Sequence, residues 1–218
     1  MTASLGSSYP SWDAMKVRRL AMLLSSLSEH PSGSVELEQY TTEGDLAVRW
    51  LSDIVAFGDL AEGCTVADLG AGNGVLGLGA LAMGAGRALL VEADQTACDV
   101  AMFNAESMRF ADSVELIQAT LGSEPVDLSS ADVIISNPPW GRQTSRADRP
   151  FLEAMIAAEI PAHLLHSAEA IHIQPLFEDA GWSAERYGEA DFALPAAYSH
   201  HSRQRGRTRA AFWRLVPP

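Results

Sequence analysis

Apolar residues along this chain recur first with a helical period and then as short continuous runs. "MKVRRLAMLLSSLS" spaces them as an amphipathic helix does. "EHPSGS" reads as a loop, and "TTEGDLAVRWLSDIVAFG" predicts a second helix. Thr42 stands where it can cap that helix, with Asp45 three positions on, and Gly58 stands where it can stop it. Strand and helix patterns then take turns. "CTVADLG", "RALLVEAD", "DSVELIQA", "ADVIIS" and "PAHLLHS" predict strands. "GVLGLGALAMG", "QTACDVAMFNAESMRF" and "SAEAIHIQPLFEDAG" predict helices, with Pro175 tolerable only near a first turn or as a kink. "WSAERYGEADFAL" and "RTRAAFWRL" close the chain as two strands with no helix between them, hence an antiparallel hairpin. The expected fold is α/β: a doubly wound, mainly parallel seven-stranded sheet with helices on both faces. Residues 1–58 form an N-terminal helical extension and residues 59–218 the core of one domain.

Composition adds limits. A chain of 218 residues, 47% hydrophobic and 20% charged, can bury an ordinary globular core. No apolar run reaches bilayer length, and "MTASLGSSYPSWDAM" lacks the layout of a secretory signal. Cys64 and Cys98 are isolated and read as small buried hydrophobes in a reducing, cytoplasmic setting.

Two stretches carry candidate chemistry. "DLGAGNG", Asp68 to Gly74, leaves a strand and enters a helix. Gly70, Gly72 and Gly74 let the backbone turn tightly and approach a ligand. A tight structural turn would use the same glycines, and dinucleotide enzymes favour GxGxxG over this GxGxG. Glu92, at the end of the next strand, falls where an acid accepts bonds from both ribose hydroxyls of a nucleoside. Loop and acid together suit S-adenosylmethionine, a nucleoside cofactor without phosphates.

"NPPW", Asn137 to Trp140, follows the fourth strand and opens on the crevice at the sheet's carboxyl edge. Two prolines stop a strand, and Trp140 could simply pack on the core rim. The same residues also suit amino-group chemistry. A planar amino nitrogen is a poor nucleophile because its lone pair is delocalised. The Asn137 side-chain oxygen and the Pro138 carbonyl can accept its two N–H bonds, Pro138 and Pro139 stiffen the loop, and Trp140 offers a face for an unstacked base. The pattern resembles the Asn/Asp-Pro-Pro-aromatic motif of amino-group methyltransferases.

Further segments narrow the resemblance. "LEQYTT", "VADLGAGNGVLGLGALAMGAG", "NPPWG", "FLEAMI", "HLLHS" and "LPAAYSHHSRQ" resemble the methyltransferase-like-five family over most of residues 35 to 216. That family methylates an adenine N6 of small-subunit ribosomal RNA and usually has Phe at the position of Trp140. The resemblance implies a Rossmann-like class I methyltransferase fold. It implies a cofactor set of Gln39, Thr42, Asp68, Gly70, Gly72, Asn73, Val75 and Glu92, bordered by Asn137. Glu92 stands where the family more often has Asp. The acid expected after the third strand for the adenine ring is replaced by Thr120, which leaves the Ala119–Thr120 backbone to read the ring. The resemblance also implies a heterodimer with a small zinc-binding activator subunit. His200 and His201 have no third ligand beside them, so metal is expected only in that partner.

The net charge of −13 argues against a polyanionic partner unless the few cations are concentrated. They are: "RQRGRTR" holds Arg203, Arg205, Arg207 and Arg209, after Tyr198, His200 and His201. A solvated face often explains such a run, but in so acidic a chain RNA phosphate contact is the better reading. Two rival functions remain: a glutamine-N5 methyltransferase of a translation release factor, and a non-catalytic cofactor-binding ribosome assembly factor.

Overall fold

Seven strands form one sheet in a computed structural model that describes residues 14–29, 42–141, 144–193 and 207–218. They are β1 (Thr65–Leu69), β2 (Arg87–Glu92), β3 (Val114–Gln118), β4 (Val133–Ser136), β5 (Ala162–Ser167), β6 (Ser183–Ala193) and β7 (Arg207–Val216). The order is β3-β2-β1-β4-β5-β7-β6. β1 to β5 run parallel, and β7 lies antiparallel between β5 and β6. This is the architecture expected from the alternating pattern.

The central strands are apolar on both faces because helices cover both. Leu90, Ile135, Leu165 and Phe212 pack toward α1 (Ala14–Ser25), α2 (Gly44–Phe57), α3 (Val75–Ala82) and α4 (Gln95–Ser107). Their neighbours Leu89, Ile134, Leu164 and Trp213 pack toward α5 (Arg149–Ala158) and α6 (Ile173–Asp179). Each such aliphatic side chain contributes about 1.5–3 kcal/mol by its burial. No helix among the described residues is long and apolar enough to cross a membrane.

Local rules held at some boundaries and yielded at others. Gly58 stops α2 in the left-handed region at φ 82°, its N–H bonded to the Val55 carbonyl at 2.9 Å. Thr42 does not cap α2: Glu43 holds the cap position, with no side-chain bond, and the Thr42 hydroxyl is used elsewhere. α4 ends at Ser107, before Arg109 turns to φ 63°. The helix expected over residues 167–181 is only Ile173–Asp179, since a turn at Ser167–Ala170 precedes it. Pro175 sits in its first turn, where a missing N–H costs nothing. α5 had no counterpart in the periodicity. It buries Leu152 and Met155, and Pro150 opens it.

α1 mounts on α2 through one glycine. A Cβ on Gly44 would lie 2.4 Å from Ser25 Oγ and 2.5 Å from the Ala21 carbonyl oxygen. Gly44→Ala should therefore destabilise the protein by about 1–3 kcal/mol through overpacking. Urea unfolding checks this, and an unchanged midpoint would mean that α1 docks some other way.

Candidate active site

β1 and β4 pair in register to their last residues, with Leu69 opposite Ser136. Ser136 Oγ donates to the Leu69 carbonyl at 2.7 Å, inside the core. The chain that follows each strand must therefore leave at one place: the glycine loop from β1 and the NPPW loop from β4. On the other side of β1, the Gly70 and Ala71 N–H groups donate to the Val91 carbonyl at 2.9 and 3.0 Å. That draws the end of β2, and with it Glu92, to the same edge.

The glycine loop is held from below. Gly70, Gly72 and Gly74 have φ of 76°, 55° and 83°, a region that other residues rarely enter. Glu92 Oε2 accepts from the Gly72 N–H at 2.9 Å. Its Oε1 accepts from the Ala93 and Asp94 N–H groups at 2.9 and 3.0 Å. Of the roughly four lone-pair sites of a carboxylate, three are thus taken. Glu92 is first a strut between two loops, and accepting from both ribose hydroxyls at once would require it to exchange one of these bonds. Among the described residues, a Cβ on Gly72 would meet nothing within 4 Å.

Asp68 works from behind. It is fully buried, Oδ2 accepts from the Gly77 N–H at 2.9 Å in the first turn of α3, and Oδ1 has no partner. Burial raises its carboxyl to about 7; the Gly77 N–H opposes the rise and the Glu92 charge adds to it. Expected as a cofactor contact, Asp68 instead supports the loop and the helix start, because no part of it is exposed.

Asn73 accepts from the Val75 N–H at 3.3 Å, which orders the helix entry. Sequence reading missed the group that holds Asn73 in turn. Asn104, buried on α4, donates to the carbonyls of Asn73 and Ser28 at 3.0 and 3.1 Å and accepts from the Ser28 N–H at 2.9 Å. It pins the end of the α1 segment against the glycine loop. Nothing in the sequence marks it, since an Asn in a helix is usually exposed. Thr120 is exposed and its N–H donates to Glu124 at 2.7 Å, while the Ala119 N–H donates to the Glu92 carbonyl at 3.0 Å.

The NPPW loop brings Asn137 to Thr42. Asn137 Nδ2 donates to Thr42 Oγ1 at 3.1 Å, and Trp140 Nε1 donates to Asn137 Oδ1 at 3.1 Å. Trp140 is only 8% exposed, and its ring packs on His166 and Phe192 at centroid distances of 6.0 and 4.8 Å. The open face expected for a stacked base is covered by protein here, because the indole serves the core and Asn137 together. Pro138 is buried and Pro139 half-buried.

Gln39, Tyr198, His200, His201, Arg203 and Arg205 lie outside the described residues. Arg207 opens β7, and Arg209 is exposed and ion-paired with Glu189 of β6.

A family model described as Ribosomal protein L11 methyltransferase (PrmA) matches residues 39–138. The rRNA N(6)-adenosine-methyltransferase METTL5 of Danio rerio is 30% identical over 208 residues, covering 93% of this chain and 100% of that one. MJ0284, an uncharacterized protein of Methanocaldococcus jannaschii, is 33% identical over 202 residues, covering 87% and 89%. The crystal structure of PH1948 from Pyrococcus horikoshii, described as a candidate RNA methyltransferase, superposes with a TM-score of 0.83. It is 30% identical and covers 92% of this chain and 97% of that one.

The buried acid gives a pH signature. Between about pH 4 and pH 7 the folded protein holds a proton on Asp68 that the unfolded chain has released, so stability falls as pH rises through that window. Asp68→Asn removes this slope. Denaturant unfolding should show the wild type losing on the order of 3–4 kcal/mol relative to the variant across the window. A difference that does not change with pH would contradict the burial of an ionisable Asp68.

Proposed function

The chain belongs to the METTL5 family of rRNA N6-adenosine-methyltransferases, and from that premise we propose that it methylates an adenine N6 of small-subunit ribosomal RNA, with S-adenosylmethionine as donor and the NPPW loop as holder of the target amine. The observation that carries this reading is the meeting of Asn137, Thr42 and the glycine loop at the paired ends of β1 and β4.

The residues fit the cofactor. Glycines at positive φ turn the loop, no described residue would meet a Cβ on Gly72, and an acid lies at the end of β2. Gly70, Gly72, Asn73 and Val75 would hold the amino-acid end with Gln39 and Thr42; Glu92 would hold the ribose and the Ala119–Thr120 backbone the adenine. When bound, the sulfonium supplies a methyl group whose bonding pair stays on sulfur as the amine's lone pair forms the new bond. Asn137 Oδ1 accepts one N–H of the target and the Pro138 carbonyl the other. That turns the nitrogen lone pair out of the ring plane and toward the donor. No separate base is needed before attack, because the alkylated nitrogen is acidic and gives its proton to water.

A protein acceptor is the second reading, since the L11 methyltransferase model matches and release-factor methyltransferases share an NPP-aromatic loop. That match stops at residue 138, within the motif that any amino acceptor would use. The METTL5 match covers 93% of this chain, so it extends well past residue 138 and favours RNA. Met22 and Leu23 of α1, 66% and 45% exposed, leave apolar surface of the kind a small zinc-binding activator subunit would cover.

Mass spectrometry of small-subunit rRNA from cells with and without the gene tests the assignment. One N6-methyladenosine should vanish with the gene; unchanged rRNA beside an unmethylated glutamine in a release factor would favour the protein reading. The arginines make a second test. Replacing Arg203, Arg205 and Arg207 with Gln should weaken RNA binding evenly across sequences. It should also flatten the log-affinity against log-salt slope by roughly 0.7 per lost contact to a single strand. Filter binding with slope and affinity both unchanged would leave the run without a role in RNA binding.

A further inference from the structure

Asn137 offers the target amine an acceptor only if its carboxamide is turned the right way. Its oxygen and nitrogen are nearly the same size, so shape alone does not choose between them. Trp140 does. An indole N–H can only donate, so the atom 3.1 Å from Trp140 Nε1 must be the oxygen, and Nδ2 then falls on the Thr42 hydroxyl. The opposite flip would set an amide N–H against the indole N–H.

The indole is itself held. His166, 1% exposed at the end of β5, stacks on it at 6.0 Å with an interplanar angle of 24°. Asp148, buried at the start of α5, accepts from His166 Nε2 at 3.1 Å and from His172 Nε2 at 2.6 Å. Burial alone would raise the Asp148 carboxyl, but the two histidine bonds bring it down to about 2, so it is an anionic acceptor for both rings. The trio could also be read as a cation site. His166 Nδ1 argues against that: it is buried with no partner, whereas a metal-bound imidazole ordinarily donates its second N–H. With the proton on Nε2, Nδ1 is a bare acceptor and the trio is a hydrogen-bonded brace.

We infer that Asp148, His166 and Trp140 are positioning residues for methyl transfer: the braced indole N–H fixes the Asn137 carboxamide with its oxygen available to the target nitrogen. This rests on the function proposed above. A carboxamide oxygen has two lone pairs, one for Trp140 and one for the substrate. The brace acts through Asn137.

A double-substitution cycle separates this role from packing. Trp140→Phe keeps a ring on His166 and loses the N–H. It should lower kcat roughly 5–30-fold, the worth of one oriented hydrogen bond, with cofactor Kd and the KM for RNA unchanged. Asn137→Asp presents oxygen on both sides and has no wrong flip, and the Thr42 hydroxyl can turn to donate to it. In that background Trp140→Phe should change kcat less than about threefold. A second readout does not depend on turnover: in NMR spectra, Asn137→Ala should speed solvent exchange of the Trp140 indole proton at least tenfold, and His166→Ala should do the same. Equal kcat losses in the two backgrounds, or an indole proton indifferent to Asn137→Ala, overturns the inference. A wild-type chain that makes no N6-methyladenosine removes the functional reading and this role together, yet leaves the NMR coupling in place, so the two failures are told apart.

Discussion

Ser136 donates from Oγ to the Leu69 carbonyl at 2.7 Å, where β4 and β1 end side by side. Both strands are buried on both faces, so a slip of one residue would turn Leu69 and Ile134 out of one core and into the other. The register is therefore fixed by apolar burial on both faces, and the serine bond closes it at the functional edge. Everything at the site follows from that edge. Two loops that are far apart in sequence must emerge together, one rich in glycine and one stiffened by proline.

Polar groups that are costly to bury are used there as struts. Glu92 carries three backbone N–H groups, Asn104 joins Ser28 to Asn73, and Asp68 holds the start of α3. Each would be unfavourable in an apolar core without its partners. Paired, they make the floor of the site rigid before any ligand arrives, and orientation is the larger part of what this chemistry needs from a protein. At Gly72, by contrast, no described residue would meet an added Cβ. The proposed RNA substrate fits the charge only if contact is local, since a chain of −13 repels phosphate on average.

The sheet was legible because runs such as "LLVE" and "VIIS" must lie between two helical layers, whatever their neighbours. The loops were legible because glycine and proline constrain the backbone locally. What stayed hidden depends on partners distant in the chain. Thr42 looks like a helix cap until Asn137, 95 positions away, takes its hydroxyl. Trp140 looks like a base platform until His166 and Phe192 cover it. Asn104 carries no motif, and α5 opens on Pro150, which reads as a breaker. Glu92 was legible as an acid at the end of β2, but its length lets it reach back to Gly72, which spacing does not reveal.

The central claim is that the end of β4 supplies the acceptor for the target amine and the end of β1 holds the donor. Asn137→Ala tests it most directly, with purified protein, labelled S-adenosylmethionine and ribosomal RNA. The account predicts methyl transfer reduced roughly 10²-fold or more, as expected when a reacting nitrogen loses its orientation, with cofactor affinity by calorimetry within about twofold of wild type. Transfer at the wild-type rate would contradict it, since the methyl group would then reach its nitrogen without the group the fold delivers there.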